Sequence, residues 1–364
     1  MSDSGGTRTG VVTLNFGEPE RATEEEVVPF LERIFHRNAS LEEHATEEER
    51  RRRSRELARR RAPGLLEEYG EIGGSPLNRQ ARQQADSLER ELHSRGLDAT
   101  VYVAMQFTDP FVPDVVDRAR ADGMERLVGL PVYPLCGQST TVAALEDLVA
   151  AVDRSGWDVE VDEITGWHRH PDYVELRADN VRSFTESRDV SLNDPDTLLV
   201  FSAHGTPIRY LEEGNRYEAY VEDLCRSLLD ALDLDRFALG YQNHGNRRIP
   251  WTEPEIEDVV GRVAADRIVV EPVSFMHEQS ETLAELDIEL REEVEARGID
   301  FHRVPVPHRS DRFVALLADL VEAVTGGPGD PSDGDLTRCR CRRSPRTFCL
   351  NAGSGLKTLE GVGS

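Results

Sequence analysis

Residues 197–205 read Thr-Leu-Leu-Val-Phe-Ser-Ala-His-Gly. The run 197–202 is largely apolar, too short for a helix, and is followed by Gly205 and Pro207. That pattern predicts a strand buried on both faces, as in a parallel sheet. His204 comes directly after it, at the carboxyl end where open α/β sheets bind their ligands. A histidine there also serves as a simple strand-end hydrogen-bonding group, so position alone leaves both readings open.

The same pattern spreads outward in both directions. Residues 11–16, 99–105, 126–133, 158–163, 236–242 and 267–275 are further strand candidates. Helical stretches are expected at 24–35, 46–62, 79–95, 111–122, 215–231, 253–264, 280–297 and 311–325. The charge-dense stretch 46–62 reads as a solvated helix, and Tyr69 to Pro76 as a glycine-rich turn. Strands alternating with helices predict an α/β fold of parallel sheets flanked by helices. Two such units suggest two similar lobes, residues 1–165 and 166–325. Residues 326–364 are a Gly/Pro/Asp-rich linker and a cysteine-containing tail.

Polar residues collect after the strands. Pro134 to Thr141 follows 126–133, and Asn243-His244-Gly245 with Pro250-Trp251 follows 236–242. Met276-His-Glu-Gln-Ser-Glu281 follows 267–275 and opens a helix. One cleft on one face of the sheets accounts for this placement. Glu281, Glu285 and Glu289 share a helical face. In a chain with 69 acidic residues that face is equally what a solvated surface looks like.

The 364 residues carry 43 basic against 69 acidic side chains, a net charge of −26. Lys357 is the only lysine. An acidic, lysine-poor surface resembles proteins of salt-accumulating halophiles, where molar salt with a Debye length of ~3 Å screens self-repulsion. It argues against a nucleic-acid partner, since phosphate backbones want a basic face. No stretch approaches the ~20 apolar residues of a membrane span, and the start lacks a secretory apolar core. A cytoplasmic protein with no strong membrane anchor is expected. There are five cysteines, and Cys339, Cys341 and Cys349 cluster in the tail. In a reducing compartment such a cluster suggests a metal site before disulfides.

Taken together, several segments resemble the ferrochelatase family from about Val11 to Val324. Leu14-Asn-Phe-Gly17 with Pro19 is similar to the family's opening Leu-Asn-x-Gly-Gly-Pro, with Glu18 in place of the second Gly. Ile72-Gly-Gly-Ser-Pro-Leu77 and Leu130-Pro-Val-Tyr-Pro134 with Ser139-Thr-Thr141 resemble two further family segments. Phe201-Ser-Ala-His-Gly205 with Pro207 matches Phe-Ser-Ala-His-x-x-Pro in full. Tyr241-Gln242 with Pro250-Trp251 and Pro254, and Glu281-Thr-Leu-x-Glu285-Leu-Asp287, complete the set in order.

The resemblance implies two Rossmann-like lobes enclosing a porphyrin cleft, with porphyrin and ferrous iron as partners. It implies His204 and Glu281 as a catalytic pair across the inserted metal; Glu285, one turn beyond Glu281, is placed to continue a relay toward solvent. It implies that Ile72, Ser139, Thr140, Tyr217 and Trp251 line the macrocycle pocket. The tail cysteines, with Cys136, are similar to the ligands some members use for a 2Fe–2S cluster, which takes four thiolates. A zinc knuckle or a disordered end with free thiols is the alternative for the tail. This chain departs from the family at Gln279, where a histidine is usual, with His277 as a candidate substitute. It also departs at Gln106, where arginine is common, and at Gly214-Asn-Arg-Tyr217.

Metallating a porphyrin removes two pyrrole N–H protons and strips water from Fe2+. Neutral histidine accepts protons near neutral pH, and a carboxylate binds a hard cation. Protoporphyrin IX and coproporphyrin III are both open as substrates, and the sequence sets no oligomeric state. The competing readings are a chelatase for another tetrapyrrole or metal and a non-catalytic haem or porphyrin carrier. A nucleotide-binding Rossmann protein is disfavoured, because Ile72 to Pro76 lacks the G-x-G-x-x-G spacing.

Overall fold

The computed structural model describes residues 7–41, 46–243, 249–326, 346–351 and 355–359. Among the described residues, nine strands form two wholly parallel sheets. The first holds β1 (Thr9–Asn15), β2 (Ala99–Met105), β3 (Arg126–Pro131) and β4 (Glu160–Ile164) in the order β2-β1-β3-β4. The second holds β5 (Thr197–His204), β6 (Phe237–Gln242), β7 (Arg267–Pro272) and β8 (Asp300–Arg303) in the order β6-β5-β7-β8. The ninth strand, β9 (Thr347–Phe348), joins the open edge of β4. The tail therefore returns to the first sheet.

The interior strands explain the sheets. All seven residues of β1 are buried, and β5 is buried at six of its eight. Helices cover both faces, so an alternating polar pattern is excluded and continuous apolar runs are required. Each fully buried Leu, Val or Phe contributes ~1.5–3 kcal/mol relative to exposure. The helix Asp311–Thr325, which follows the second sheet in the chain, packs back on the first sheet at β3 and β4. Arg95, which ends the helix Leu77–Ser94, pairs with Asp319 at 2.5 Å and Glu322 at 2.7 Å on the helix Asp311–Thr325.

Several expectations are corrected. The helix expected at 46–62 is one helix, Glu47–Ile72, running through Pro63 and past Tyr69. It is not wholly solvated: Ser54, Ala58, Ala62, Leu65 and Tyr69 are buried along one stripe against the helix Glu24–Asn38. That tertiary packing outweighs the cost of the proline. The glycine turn begins at Gly73, whose φ of 74° caps the helix. Strand β7 stops at Pro272, leaving 273–275 as a turn. Glu281–Leu290 is π-helical and continues as an α-helix over Arg291–Ala296. No helix among the described residues is long and apolar enough to cross a membrane.

Candidate active site

A cavity of about 500 Å³ gathers the carboxyl ends of strands from both sheets. Asn15 of β1, Tyr133 beyond β3, His204 of β5 and Ser274 beyond β7 all line it. The helices Glu24–Asn38 and Glu47–Ile72 close another side with Phe30, Leu31, Leu65 and Tyr69. The size falls within the ~300–1,000 Å³ of small-molecule sites, and apolar walls with a few polar groups are their usual composition.

His204 is the last residue of β5 and pairs in register with Gln242 of β6. Its Nδ1 lies 2.6 Å from the Gly205 carbonyl oxygen. A carbonyl only accepts, so Nδ1 carries the hydrogen and Nε2 the basic lone pair. Glycine is required next to it. A Cβ on Gly205 would fall 1.7 Å from Asn243 Oδ1. The His204 N–H donates to Ser274 Oγ at 3.0 Å, and the Tyr217 hydroxyl lies 2.9 Å from the same oxygen. Trp251 and Phe275 flank the imidazole, with ring centroids at 6.4 and 6.3 Å.

Glu281 lines the same cavity and is buried. Its Oε2 accepts from Gln279 Nε2 at 2.9 Å and lies 3.0 Å from Ser280 Oγ. The position expected to hold a histidine thus supplies a donor to Glu281. Glu285 also lines the cavity. Gln242 Nε2 donates to the Glu281 carbonyl at 2.9 Å and to Glu285 Oε2 at 2.8 Å. Burial, and then the Glu281 charge, push Glu285 well above the usual carboxylate range.

Glu18 is the residue that sequence reasoning missed as a site residue. It is buried in the cavity wall and accepts from Tyr69, Ser75 and Ser280. Burial, followed by the Glu281 charge, pushes its carboxyl up to about 7. The available signal was an acidic residue directly after a buried strand and Gly17.

Of the other expected residues, Ser139, Thr140, Tyr217 and Trp251 line the cavity. Ser139 and Thr140 sit on a π-helical turn, Gln138–Val142. Such turns recur at functional sites, and here both stand at this cavity. Ile72 does not line it. It packs against the buried cluster that includes Leu65, Tyr69 and Phe107 and lines a smaller cavity with Gly73 and Ser75, because the helix extends to it before turning. His277 lines the main cavity, but burial, and then His308, lower it to about 3, so it stays neutral. It is therefore a poor substitute proton acceptor.

Cys136 and Cys349 are buried cysteines. Cys339, Cys341 and His244 lie outside the described residues. One segment holds both thiol-bearing strands of chain. Trp167 and His168 N–H groups donate to the Pro134 carbonyl, and the Leu350 N–H donates to Gly166. Asn351, wholly buried, has no hydrogen-bond partner on either side-chain atom among the described residues.

The ferrochelatase family model matches residues 8–325. The chain is 35% identical over 332 residues to a ferrochelatase of Synechococcus sp. (strain RCC307), covering 88% of this chain and 84% of the relative. It is 33% identical over 353 residues to a ferrochelatase of Thermosynechococcus vestitus, covering 93% and 88%. SirB from Bacillus subtilis with Fe3+ has a TM-score of 0.51 at 10% identity, over 90% of this chain and 98% of that one, which is a likeness of fold. A match spanning β1 through the helix Asp311–Thr325, with relatives at this identity, means that the chain belongs to the ferrochelatase family.

Proposed function

We propose that this chain inserts Fe2+ into a porphyrin, with His204 and Glu281 on opposite sides of the metal's path. The reading is carried by one observation: two residues from distant parts of the chain line the same cavity. The ring exchanges two N–H protons for the cation, and two protons leave to solvent. His204 Nε2 takes protons from pyrrole nitrogen, its tautomer fixed by the Gly205 carbonyl. Glu281 receives iron and Glu285 passes protons onward. Trp251, Tyr217, Ser139 and Thr140 grip the ring, and Ile72 has no part in the wall. The carrier reading is not favoured, since it leaves a basic imidazole and a buried carboxylate in the cavity without a task.

A 2Fe–2S cluster would be held by Cys136 and Cys349 together with Cys339 and Cys341, which lie outside the described residues. Two buried cysteines, one of them two residues before the unsatisfied buried Asn351 amide, suit a group that accepts hydrogen bonds. Such a cluster supplies a thiolate crosslink between the tail and the first sheet. A reducing cytoplasm suits cysteines that serve as metal ligands, and the charge of −26 suits high salt.

The test is an anaerobic Fe2+ insertion assay at high salt, with protoporphyrin IX and coproporphyrin III in parallel. His204→Ala is expected to bind porphyrin and not to metallate it. Near-normal turnover by that variant overturns the assignment.

A further inference from the structure

We infer that Glu18 is a positioning residue for Glu281, acting through Ser280 across the junction of the two sheets. The inference rests on Glu281 being the iron-side carboxylate proposed above.

The geometry runs as an unbroken chain of contacts. Ser280 donates twice to Glu18, from its N–H to Oε2 at 3.2 Å and from its hydroxyl to Oε1 at 2.5 Å. The same hydroxyl lies 3.0 Å from Glu281 Oε2. A serine hydroxyl has one hydrogen, and the shorter contact to Glu18 claims it. Glu18 thereby fixes the Ser280 rotor and the first turn of the π-helix. Gln279 then fixes the same Glu281 oxygen at 2.9 Å. With its hydrogen on Glu18, the Ser280 hydroxyl donates nothing to Glu281, so Glu18 acts by placing Ser280 and the helix start while Gln279 holds Oε2, which leaves Oε1 for the cavity.

Glu18 is itself held firmly. Its carboxylate accepts from the Tyr69 hydroxyl at 3.0 Å and the Ser75 hydroxyl at 2.5 Å. Its backbone is clamped by Asn78, which accepts from the Glu18 N–H at 3.0 Å and donates to its carbonyl at 2.8 Å. Gly17, at φ 80°, makes the turn from β1 that delivers it, and a Cβ there would fall 2.8 Å from Met105 Cβ. A buried carboxylate with this many donors is costly unless each is satisfied. Here the satisfied network joins β1, the helix Glu47–Ile72 and its turn, and the residue before Glu281. Reacting groups need placement to ~0.5 Å, and a misplacement of ~1 Å costs ~100-fold in rate.

The experiment uses the full chain, measuring Fe2+ insertion kinetics, porphyrin affinity by fluorescence quenching, and melting temperature. Glu18→Gln keeps the shape but turns an amide donor toward donors. It is expected to lower kcat at least ~10-fold while porphyrin Kd stays within ~2-fold. Ser280→Ala is expected to do the same, and the double variant to be no worse than the worse single one. If Glu18→Gln fails to fold, the Ser280→Ala kcat decides. Unchanged kcat, additive losses, or a loss confined to Kd overturns the inference. Glu281→Gln is assayed alongside. If it keeps turnover, the site and the positioning role both fall. If it is inactive while Glu18→Gln and Ser280→Ala run at full rate, only the positioning role falls.

Discussion

Gln279 donates from Nε2 to Glu281 Oε2 at 2.9 Å. A neutral amide stands where the family resemblance leads one to expect an imidazole, and its task here is to orient a carboxylate. Hydrogen bonds to charged groups are worth ~1.5–3 kcal/mol, and 1.4 kcal/mol is tenfold. Gln279→Ala is therefore expected to lower kcat about tenfold, with porphyrin affinity unchanged. Steady-state kinetics with the porphyrin and Fe2+ varied in turn check this. A rise in the porphyrin KM at constant kcat would assign Gln279 to the ring instead.

Arg177 supports the other half of the site. It is buried and donates from Nε to Glu271 Oε1 at 2.7 Å, from Nη1 to the Phe275 carbonyl at 2.9 Å and from Nη2 to the Pro272 carbonyl at 2.8 Å. The turn it holds carries Ser274 and Phe275, both against His204. Arg177→Met strands a buried carboxyl and is expected to cost ~3–5 kcal/mol of stability. Adding Glu271→Gln should recover part of that. Denaturant unfolding of the single and double variants measures it, and a single variant of unchanged stability refutes the account.

His277 sets part of the acid limit. Its Nε2 has no hydrogen-bond partner among the described residues, and its folded pKa is about 3 against an ordinary 6.5. His308 is lowered as well, by burial first. For a base held neutral by folding, the unfolded chain binds more protons between the two values. Stability is then fully present above pH 6.5 and lost as pH falls toward 3, on the order of 5 kcal/mol from His277. His277→Gln is expected to flatten the melting temperature across that window while leaving the region above pH 7 unchanged. An acid limb as steep as that of the parent chain rejects it.

The strands β1 and β5 are plain in the sequence because burial on both faces forces continuous apolar runs. His204 follows from the same logic, as the residue at the end of such a run. Other elements lack that contrast. β8 is four residues with only Phe301 and Arg303 buried, so no periodicity marks it. No helix is read over Ala143–Ser155 or Pro171–Ser187, although Pro171 stands at a first helical position where proline is favoured. The buried stripe of Glu47–Ile72 is hidden because alanines carry much of it among arginines. Glu18 stands out in the sequence only as a departure at Gly17-Glu18; its role is hidden because its partners Tyr69, Ser75 and Ser280 are distant in sequence, and only folding brings them together.

The tail offers a spectroscopic prediction. Cys136 and Cys349 are buried, and the segment around Gly166 and Trp167 holds both of their neighbourhoods. Protein purified without oxygen is expected to absorb in the visible and to contain iron and sulfide in equal amounts. Cys349→Ser should lose the colour and lower the melting temperature. A colourless, iron-free anaerobic preparation rejects the cluster, and bound zinc in its place would support the zinc knuckle.

Salt should stabilise this chain, because repulsion outweighs attraction on its surface. Pairs such as Arg82–Glu20 and Arg267–Asp300 are weakened by screening, but exposed pairs contribute only ~0–1 kcal/mol each. Against them stand 69 acidic and 43 basic residues, so one cation per acid still leaves a charge of −26. The Debye length falls from ~10 Å at 0.1 M to ~3 Å at 1 M, which removes repulsion between exposed carboxylates before it reaches buried pairs such as Arg177–Glu271. The melting temperature is therefore expected to climb by several degrees between 0.1 and 1 M KCl and then to level off, since screening saturates. A flat or falling curve over that range would mean that the acidic surface is already neutralised by its own arginines.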